Sequence, residues 1–390
     1  MRAEYDVIVV GASVAGTSAA LQLAKLGFTV LLLEKSTFPR FVACGEGLSQ
    51  IGIEALAPLL DTADGGNQSL DLVPSCNFYS YVIRGNTTLT VGRGEQACVR
   101  GKGISRYYLD AHLCQAASSH PLIGVVTGAR VLKISQVASG VMVYMAGSKA
   151  PVRSRFGVIA TGKNYRLLSE CGLRLIDSAK QRVGASAEFL ITDSVLKNPL
   201  MTVFVKPALE VYCTPVGQNR INLNVLTAEE GMVEIGRKRG IADLFSRTLD
   251  QYGVSACQHS EIMGAVPSGT RLKDACIGNI VAVGDAFESL DPVGGMGMTH
   301  AIISGRLAAY GIASSFNDGS LLSKNCAHFR RTLAPLRQVT QGAAFVVRTF
   351  SRYRALAPIY RSGALDFIED RMLERHLAWA RQLQPESRVT

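Results

Sequence analysis

The sequence predicts an α/β fold with a parallel sheet, because short apolar runs alternate with a helical segment. Residues 5–10 and 28–33 are continuous apolar runs, as expected for strands that are buried on both faces. Residues 14–26 lie between them and predict a helix, which completes a strand–helix–strand unit. Residues 157–160 and 279–283 are two further apolar runs of the same kind. We therefore expect these four strands to share one sheet.

A different pattern occupies the middle of the chain. Residues 200–205, 209–213 and 220–225 alternate between apolar and polar positions, which is typical of antiparallel strands. Residues 215–219 contain Pro, Gly and Asn and predict the turn of a hairpin. The sequence therefore predicts a second, antiparallel sheet that is inserted into the first domain.

The remaining helices set the predicted domain bounds. Residues 105–117 predict a helix with Ser105 as its N-cap, and a glycine-rich loop opens a helix from Gly297 to about Tyr310. The predicted domains are a discontinuous first domain over 1–75, 100–180 and 276–320, an inserted β-sheet domain over 76–99 and 181–275, and a basic helical C-terminal region over 321–390.

Composition excludes several classes of protein. Of 390 residues, 47% are hydrophobic and 18% are charged, which excludes a disordered chain, and 38 glycines exclude a coiled coil. The nine cysteines include no CxxC pair, so zinc ribbons and iron–sulfur clusters have no template and no metal site is predicted. Scattered cysteines fit reduced thiols, and no apolar run approaches the roughly 20 residues that span a bilayer. These features predict a cytoplasmic protein.

The loop after the first strand has the spacing of a dinucleotide site. It contains Gly11, Ser13, Ala15 and Gly16, in the pattern GxSxxG, between a strand and a helix. Glycines let the backbone approach a pyrophosphate, and the helix N-terminus attracts its charge. Glu34, followed by Lys35, ends the second strand, where a carboxylate accepts hydrogen bonds from ribose hydroxyls. The pattern predicts a Rossmann-type dinucleotide-binding domain.

A second segment identifies the expected dinucleotide. Residues 281–309 read VAVGDAFESLDPVGGMGMTHAIISGRLAA. This segment resembles the GD…DP…GxGM segment of FAD enzymes of the geranylgeranyl reductase and aromatic hydroxylase (flavoprotein monooxygenase) superfamily. The resemblance implies a glutathione-reductase-like FAD-binding fold. It also implies FAD contacts for five residues of this segment, namely Gly284, Asp285, Gly295, Gly297 and Met298.

Two more segments carry the same resemblance. Residues 38–48 resemble the CG-containing loop that passes near the flavin in geranylgeranyl reductase-like proteins, which implies FAD contacts for Cys44 and Gly45. Arg106 matches the arginine of the R…LD helix that lies along FAD in this superfamily. Gly162 stands where many of the hydroxylases have the glycine of a DG motif, but Thr161 replaces its aspartate. This departure weakens the expectation of a hydroxylation cycle driven by NADH or NADPH.

The resemblance predicts an FAD-dependent oxidoreductase of biosynthetic, secondary metabolism. We expect it to act on a hydrophobic aromatic, polyketide or isoprenoid molecule by hydroxylation, as a monooxygenase, or by dehydrogenation. Alkene reduction of the geranylgeranyl reductase type is the alternative. Halogenation is less favoured, since the halogenase motif WxWxIP is absent and the only tryptophan is Trp379. A non-catalytic FAD-binding protein is a further alternative. NADH or NADPH is the candidate electron donor.

Four side chains are candidates for chemistry beside the cofactor. Glu46 lies in the loop near the flavin and is a candidate general acid or base, with a hydrogen-bonded loop carboxylate as the alternative. Tyr212 and Tyr165 are candidates for hydrogen bonds to substrate, with core packing as the alternative. His300 follows the glycine-rich loop and is interpreted as structural.

The C-terminal region is strongly basic. The chain has a net charge of +10, and residues 325–365 hold several arginines and no acidic residue. Apolar residues interleave with these arginines, which favours contact with an anionic membrane surface, at the inner face, or with an acidic carrier protein. A solvated helical cap is the alternative. No motif supports nucleic-acid binding, and the sequence leaves the oligomeric state open.

Overall fold

The computed structural model describes most of the chain. The described residues are 4–61, 69–78, 81–84, 88–91, 100–138, 140–176, 182–192, 200–206, 209–227, 238–268, 270–320, 322–325, 329–338 and 340–342.

Strands and helices follow one another along the chain in mixed order. The strands are β1 (Tyr5–Val10), β2 (Val30–Leu33), β3 (Gly47–Ser49), β4 (Ser75–Phe78), β5 (Tyr81–Arg84), β6 (Thr88–Val91), β7 (Gly101–Ile104), β8 (Ile123–Val126), β9 (Val131–Val137), β10 (Gly140–Met145), β11 (Val152–Ile159), β12 (Leu175–Ile176), β13 (Arg182–Ile191), β14 (Met201–Lys206), β15 (Leu209–Gly217), β16 (Arg220–Thr227), β17 (Ala256–Gln258), β18 (Met263–Ser268), β19 (Arg271–Leu272), β20 (Cys276–Ile277) and β21 (Ile280–Ala282). The helices are α1 (Val14–Lys25), α2 (Gln50–Leu60), α3 (Arg106–Ser119), α4 (Tyr165–Glu170), α5 (Lys238–Tyr252), α6 (Gly297–Asp318) and α7 (329–338).

The predicted parallel sheet is confirmed. Its strand order is β20-β21-β11-β1-β2-β8, with β10 and β9 added beside β11. Strands β21, β11, β1, β2 and β8 run parallel, and all four predicted apolar runs belong to them. Every residue of β2 is buried, as expected for a central strand. Helix α1 follows β1 and packs against α6 on one face of the sheet.

The second large sheet has the order β17-β13-β16-β15-β14-β5-β6, with β18 also paired to β13. Its pairs are antiparallel except for β14 and β5, which run parallel. Alternation along β15 and β16 separates two faces. Val211 and Leu223 pack with Phe245 of α5, whereas Tyr212 and Leu226 belong to an apolar cluster on the opposite face. One face of this sheet therefore packs on α5, and the opposite face, with Tyr212 and Leu226, is turned away from that helix.

The hairpin turn differs from the prediction. Residues 215–217 belong to β15, and only Gln218 and Asn219 form the turn before β16. The register shifts between Pro215 and Gly217, so this irregularity accommodates the proline within the strand. The Pro215 carbonyl also packs against Gly103 of β7, where a Cβ would lie 1.8 Å from its oxygen. Close packing on β7 thus accompanies the extended strand.

Helix α6 is longer than predicted. It continues past Tyr310 to Asp318, with Ile312 and Ser315 buried. The helix ends where Gly319 adopts a left-handed conformation with φ of 68°, which glycine reaches at little cost. Helix α3 agrees with the prediction, since the Ser105 side chain accepts the backbone N–H of Tyr107.

The described part of the C-terminal region packs on the loop before α6. Arg337 of α7 donates to both carboxylate oxygens of Glu288, at 2.6 and 2.8 Å. The Phe329 ring meets the edge of the Phe287 ring at 5.3 Å. Arg348, Arg352, Arg354 and Arg361 of the predicted basic surface lie outside the described residues. No helix in the described part of the chain has the length and apolarity needed to cross a membrane.

The domain bounds stay a prediction, and the strand pairing shows where the chain passes from one sheet to another. Strand β4, which includes Cys76, pairs with β7 in a three-stranded sheet with β3. Strands β5 and β6 instead belong to the second large sheet. The chain therefore changes sheets after Phe78.

Candidate active site

A cavity of about 980 Å³ opens where the parallel sheet meets the second large sheet. Val10, Leu33, Ala160 and Val283 line one side, and each ends or directly follows a parallel strand. Ligands of open parallel sheets bind at this carboxyl edge, and the volume lies in the usual range for small-molecule sites.

Most of the predicted site residues line this cavity. They are Gly11, Ser13, Ala15, Glu34, Lys35, Cys44, Gly45, Glu46, Arg106, Gly162, Tyr212, Asp285, Gly295, Gly297 and Met298. They come from seven separate stretches of the sequence, so the fold brings together the segments that carried the resemblance.

Gly16 and Gly284 are not among the lining residues but shape the cavity from behind. A Cβ at Gly16 would lie 1.8 Å from the Gly11 carbonyl oxygen. A Cβ at Gly284, which has φ of 58°, would lie 2.8 Å from the Cβ of Ala15. Both glycines therefore allow backbone segments to approach each other closely. Because neither lines the cavity, the predicted contact of Gly16 and Gly284 with the cofactor is not seen in its lining.

Glu34 holds the glycine loop. Its Oε2 accepts the backbone N–H of Ala12 at 2.8 Å, and its Oε1 accepts that of Ser36 at 2.9 Å. A carboxylate oxygen can accept more than one hydrogen bond, so the side chain retains acceptor capacity for ribose hydroxyls. The carboxylate thus both fixes the loop and faces the cavity.

A buried charge cluster lies beneath Ser13. Arg106 donates from Nε and Nη2 to the two oxygens of Asp110, each at 2.8 Å, and Nη2 also donates to the Ser13 hydroxyl. Arg40 lies 3.4 Å from Asp110, which is fully buried. Arg106 and Arg40 bring two positive charges to one carboxylate, which leaves an excess of positive charge at the loop that would bind a pyrophosphate. Sequence reasoning did not select Asp110, although its i,i+4 spacing from Arg106 is a visible signal.

Several features of the cavity are suited to FAD. The buried hydroxyl oxygen Thr161 Oγ1 lines the cavity and has no hydrogen-bond partner among the described residues. Cβ atoms built on Gly162, Gly295 and Gly297 meet no atom of the described chain within 4 Å, so bare backbone borders the cavity there. The N-terminus of α6 begins at Gly297 and suits the negative charge of a reduced flavin. The glycine loop, Glu34 and Arg106 would hold the dinucleotide, with Asp285 and Gly297 towards the flavin.

Glu46 is a buried acid at the cavity and has a left-handed backbone conformation. It has a φ of 58° and is 2% exposed, and its Oε1 accepts the backbone N–H of Arg106 at 2.8 Å. Its Oε2 is buried and has no hydrogen-bond partner among the residues described. Burial, followed by the nearby charge of Glu188, raises the pKa of Glu46 well above its usual value. Burial and the neighbouring charge therefore favour the protonated form of this side chain. Burial likewise raises the pKa of the neighbouring Cys44 thiol.

Tyr212 lines the wall formed by the second large sheet. Its hydroxyl donates to Glu210 at 2.8 Å, and Glu210 in turn pairs with Arg182 at 2.9 Å. Burial, followed by the Glu210 charge, raises the Tyr212 pKa well above its usual value. Met201 and Leu226 lie on the same wall, so this side of the cavity is mainly apolar. Sequence reasoning did not select Met201 or Leu226, since alternation alone does not say which face meets a cavity.

Tyr165 is not among the residues that line the cavity. It begins α4, and its hydroxyl forms a hydrogen bond with the Thr270 hydroxyl.

We expect Tyr165→Phe to lower the free energy of unfolding by about 1 kcal/mol and to leave substrate turnover unchanged. Denaturant unfolding and steady-state kinetics check both. A large rise in KM would instead support the predicted contact with substrate.

His300 is buried in the first turns of α6 and stacks on Phe287, with ring centroids 6.3 Å apart. Burial lowers the pKa of its imidazole, so the ring is neutral at physiological pH. It is absent from the cavity lining, which agrees with the structural interpretation. Lys163 does line the cavity near Asp285, and burial lowers its pKa.

Comparisons with known proteins agree with this geometry. A family model described as glucose inhibited division protein A matches residues 6–57, which include the glycine loop and Glu34. Digeranylgeranylglycerophospholipid reductase of Methanocella arvoryzae is 26% identical over 342 residues, covering 84% of this chain and 82% of the relative. Menaquinone reductase of Mycobacterium tuberculosis is 23% identical over 337 residues, covering 78% of this chain and 75% of the relative.

Solved structures share the fold. A geranylgeranyl bacteriochlorophyll reductase-like protein of Thermoplasma acidophilum has a TM-score of 0.73 at 18% identity, covering 90% of this chain and 88% of that one. The flavin-dependent brominase Bmp2 has a TM-score of 0.77 at 20% identity, covering 96% and 94%. The resemblance to geranylgeranyl reductase-like flavoproteins is therefore confirmed. Together with the cavity, these similarities identify FAD as the cofactor and an FAD-dependent oxidoreductase as the class of protein.

Proposed function

We propose that this protein reduces carbon–carbon double bonds in the isoprenoid chain of a lipophilic molecule. The observation that carries the proposal is that one cavity joins an apolar wall to a buried acid with a free oxygen. Met201, Tyr212 and Leu226 form the wall, and Glu46 provides the acid. The relatives named as reductases of isoprenoid lipids and of menaquinone support the same chemistry.

Reduction of an alkene adds a hydride to one carbon and a proton to the other. Reduced FAD supplies the hydride when it is bound, and NADH or NADPH is the proposed source of its electrons. The chain must supply the proton and exclude water. Burial favours the protonated form of Glu46, its Oε1 is fixed by the Arg106 N–H, and its Oε2, which has no hydrogen-bond partner among the described residues, can carry the proton. We therefore assign Glu46 as the general acid.

Hydroxylation and dehydrogenation, which the sequence favoured, have less support. The relatives described above are named as reductases. Many hydroxylases have a DG motif, and in this chain Thr161 stands in place of its aspartate. The likeness to a brominase lies below 25% identity and concerns the fold. Reduction thus accounts for more of the observations.

The substrate is proposed to be membrane-borne or carrier-bound, because an isoprenoid chain has low solubility in water. The arginines of residues 325–365 are proposed to contact anionic lipid, or alternatively an acidic carrier. Two of the described arginines already have protein partners, since Arg337 pairs with Glu288 and Arg330 donates to the Lys273 carbonyl.

The reaction can be tested with the FAD-loaded protein under anaerobic conditions. Dithionite-reduced protein is mixed with geranylgeranylglycerophospholipid or menaquinone in detergent, and products are analysed by mass spectrometry. We expect a mass gain of two hydrogen atoms per reduced double bond, together with reoxidation of the flavin. A product that gains one oxygen atom, and only in air, would replace reduction with hydroxylation.

A further inference from the structure

Two carboxyl groups from different parts of the chain converge on the N-terminus of α3. Glu46 precedes β3, and its Oε1 accepts the backbone N–H of Arg106, the first residue of α3. Glu188 lies on β13 of the second large sheet, and its Oε1 accepts the hydroxyl of Ser105, the N-cap of α3. Each side chain is about 2% exposed. Adjacent residues of one helix end therefore hold both acids.

The free oxygens of the two acids are also alike. The Oε2 atoms of Glu46 and Glu188 are both buried and have no hydrogen-bond partner among the described residues. Their surroundings otherwise differ in charge. Arg220 lies 3.8 Å from Glu188 Oε2, whereas the guanidinium of Arg106 next to Glu46 is already paired with Asp110.

A negative charge on one of two neighbouring buried carboxylates opposes ionisation of the other, so such a pair favours a state that retains one proton. The charged partners decide which residue carries it. Glu188 has the Arg220 cation 3.8 Å from its Oε2, and its Oε1 accepts the Ser105 hydroxyl. Glu46 accepts the Arg106 N–H, and the Arg106 guanidinium near it is paired with Asp110. This arrangement favours the protonated form of Glu46.

We propose that Glu188 is a positioning residue that acts through its charge to keep the proton on Glu46, the acid that faces the cavity. The use of this proton in alkene reduction rests on the proposed function, whereas the sharing of one proton by the pair does not. The other titratable or charged groups facing the pair are Cys44, Arg106 and Arg220, and exposed His259 is bonded to Arg220.

Infrared spectroscopy of the FAD-loaded protein tests the proposal without turnover. The band of the protonated carboxyl group is assigned by its loss in Glu46→Gln and is then followed as a function of pH. We expect Glu188→Gln to move the loss of this band to lower pH by about one unit or more, because a neutral neighbour no longer opposes ionisation of Glu46. The matched control is Glu261→Gln, which removes an exposed carboxylate near β17 and should leave the titration unchanged.

A second variant acts in the opposite direction. Arg220→Gln removes the cation that stabilises ionised Glu188, so the pair should release its proton at higher pH than in the unmodified protein. An electrostatic role of Glu188 predicts that the pH at which the band is lost shifts in opposite directions in the two variants. A loss of structure would not produce shifts of opposite sign. An unchanged titration in Glu188→Gln would overturn the proposal, and if that variant does not fold, an unchanged titration in Arg220→Gln would do so.

Kinetics separate this inference from the proposed function. If Glu46 is the proton donor, the alkaline limb of kcat/KM for alkene reduction should shift with the infrared band in both variants. If the band shifts as expected while the unmodified protein reduces no alkene, the shared proton stands and the proposed reaction is wrong.

Discussion

Replacing Glu46 with glutamine is expected to slow alkene reduction by about 10²–10⁴-fold, the usual contribution of a positioned acid. The amide keeps the shape of the side chain, and its oxygen can still accept the Arg106 N–H, so FAD should remain bound. Stopped-flow absorbance of the reduced protein mixed with substrate measures the effect directly. Flavin content after purification checks that the cofactor site is intact.

Glu261→Gln is the control for loss of a carboxylate, since Glu261 is exposed. Its turnover should equal that of the unmodified protein. Turnover of Glu46→Gln within about twofold of the control would exclude Glu46 as the proton donor, because a difference of that size corresponds to less than about 0.5 kcal/mol in the barrier.

The raised pKa of Glu46 also predicts how rate and stability depend on pH. The acid loses its proton as pH rises through this raised pKa, so turnover should fall on the alkaline side. The folded state holds the Glu46 proton at pH values above the ordinary pKa of 4.5, at which the unfolded chain loses it. Between these two pKa values the folded state binds more protons, so this group lowers the free energy of unfolding as pH rises. In Glu46→Gln this part of the pH dependence should disappear.

Gly16→Ala is expected to remove FAD from the protein and to destabilise the fold by about 1–3 kcal/mol or more. The added Cβ would lie 1.8 Å from the Gly11 carbonyl oxygen and 3.1 Å from the Cβ of Ala160. The backbone of the glycine loop must therefore move away from its position at the N-terminus of α1. The absorbance ratio of bound flavin to protein, and thermal unfolding, measure the two effects.

Gly264→Ala is the matched control for this glycine. Gly264 lies on β18, and a Cβ there meets no atom within 4 Å. Its flavin content should be unchanged and its stability altered by no more than about 0.5 kcal/mol. Full flavin occupancy in Gly16→Ala would show that the close approach of Gly16 to the Gly11 carbonyl is not required for binding.

Local patterns predicted the elements that carry the cofactor site. The continuous apolar runs predicted the parallel strands because both faces of those strands are buried, and Ser105 predicted the start of α3 because a side-chain acceptor there satisfies a free N–H. The end of α6 was missed, since Gly311 is tolerated inside the helix and the left-handed Gly319 ends it. The hairpin turn was placed too early because the strand continues through Pro215.

The sequence by itself determined the α/β class, the glycine loop with Glu34, and the segments that are predicted to bind FAD, because these depend on spacings within short stretches of chain. Only the tertiary structure decided which side chains meet. It placed Tyr165 against Thr270 and Tyr212 on the cavity wall, although both were equal candidates in sequence. It also brought Glu188 near enough to Glu46 for their charges to interact, across 142 positions of sequence, which no local pattern encodes. The physical reason is that the ionisation of a buried acid depends on its neighbours in space, and packing of the two sheets selects those neighbours.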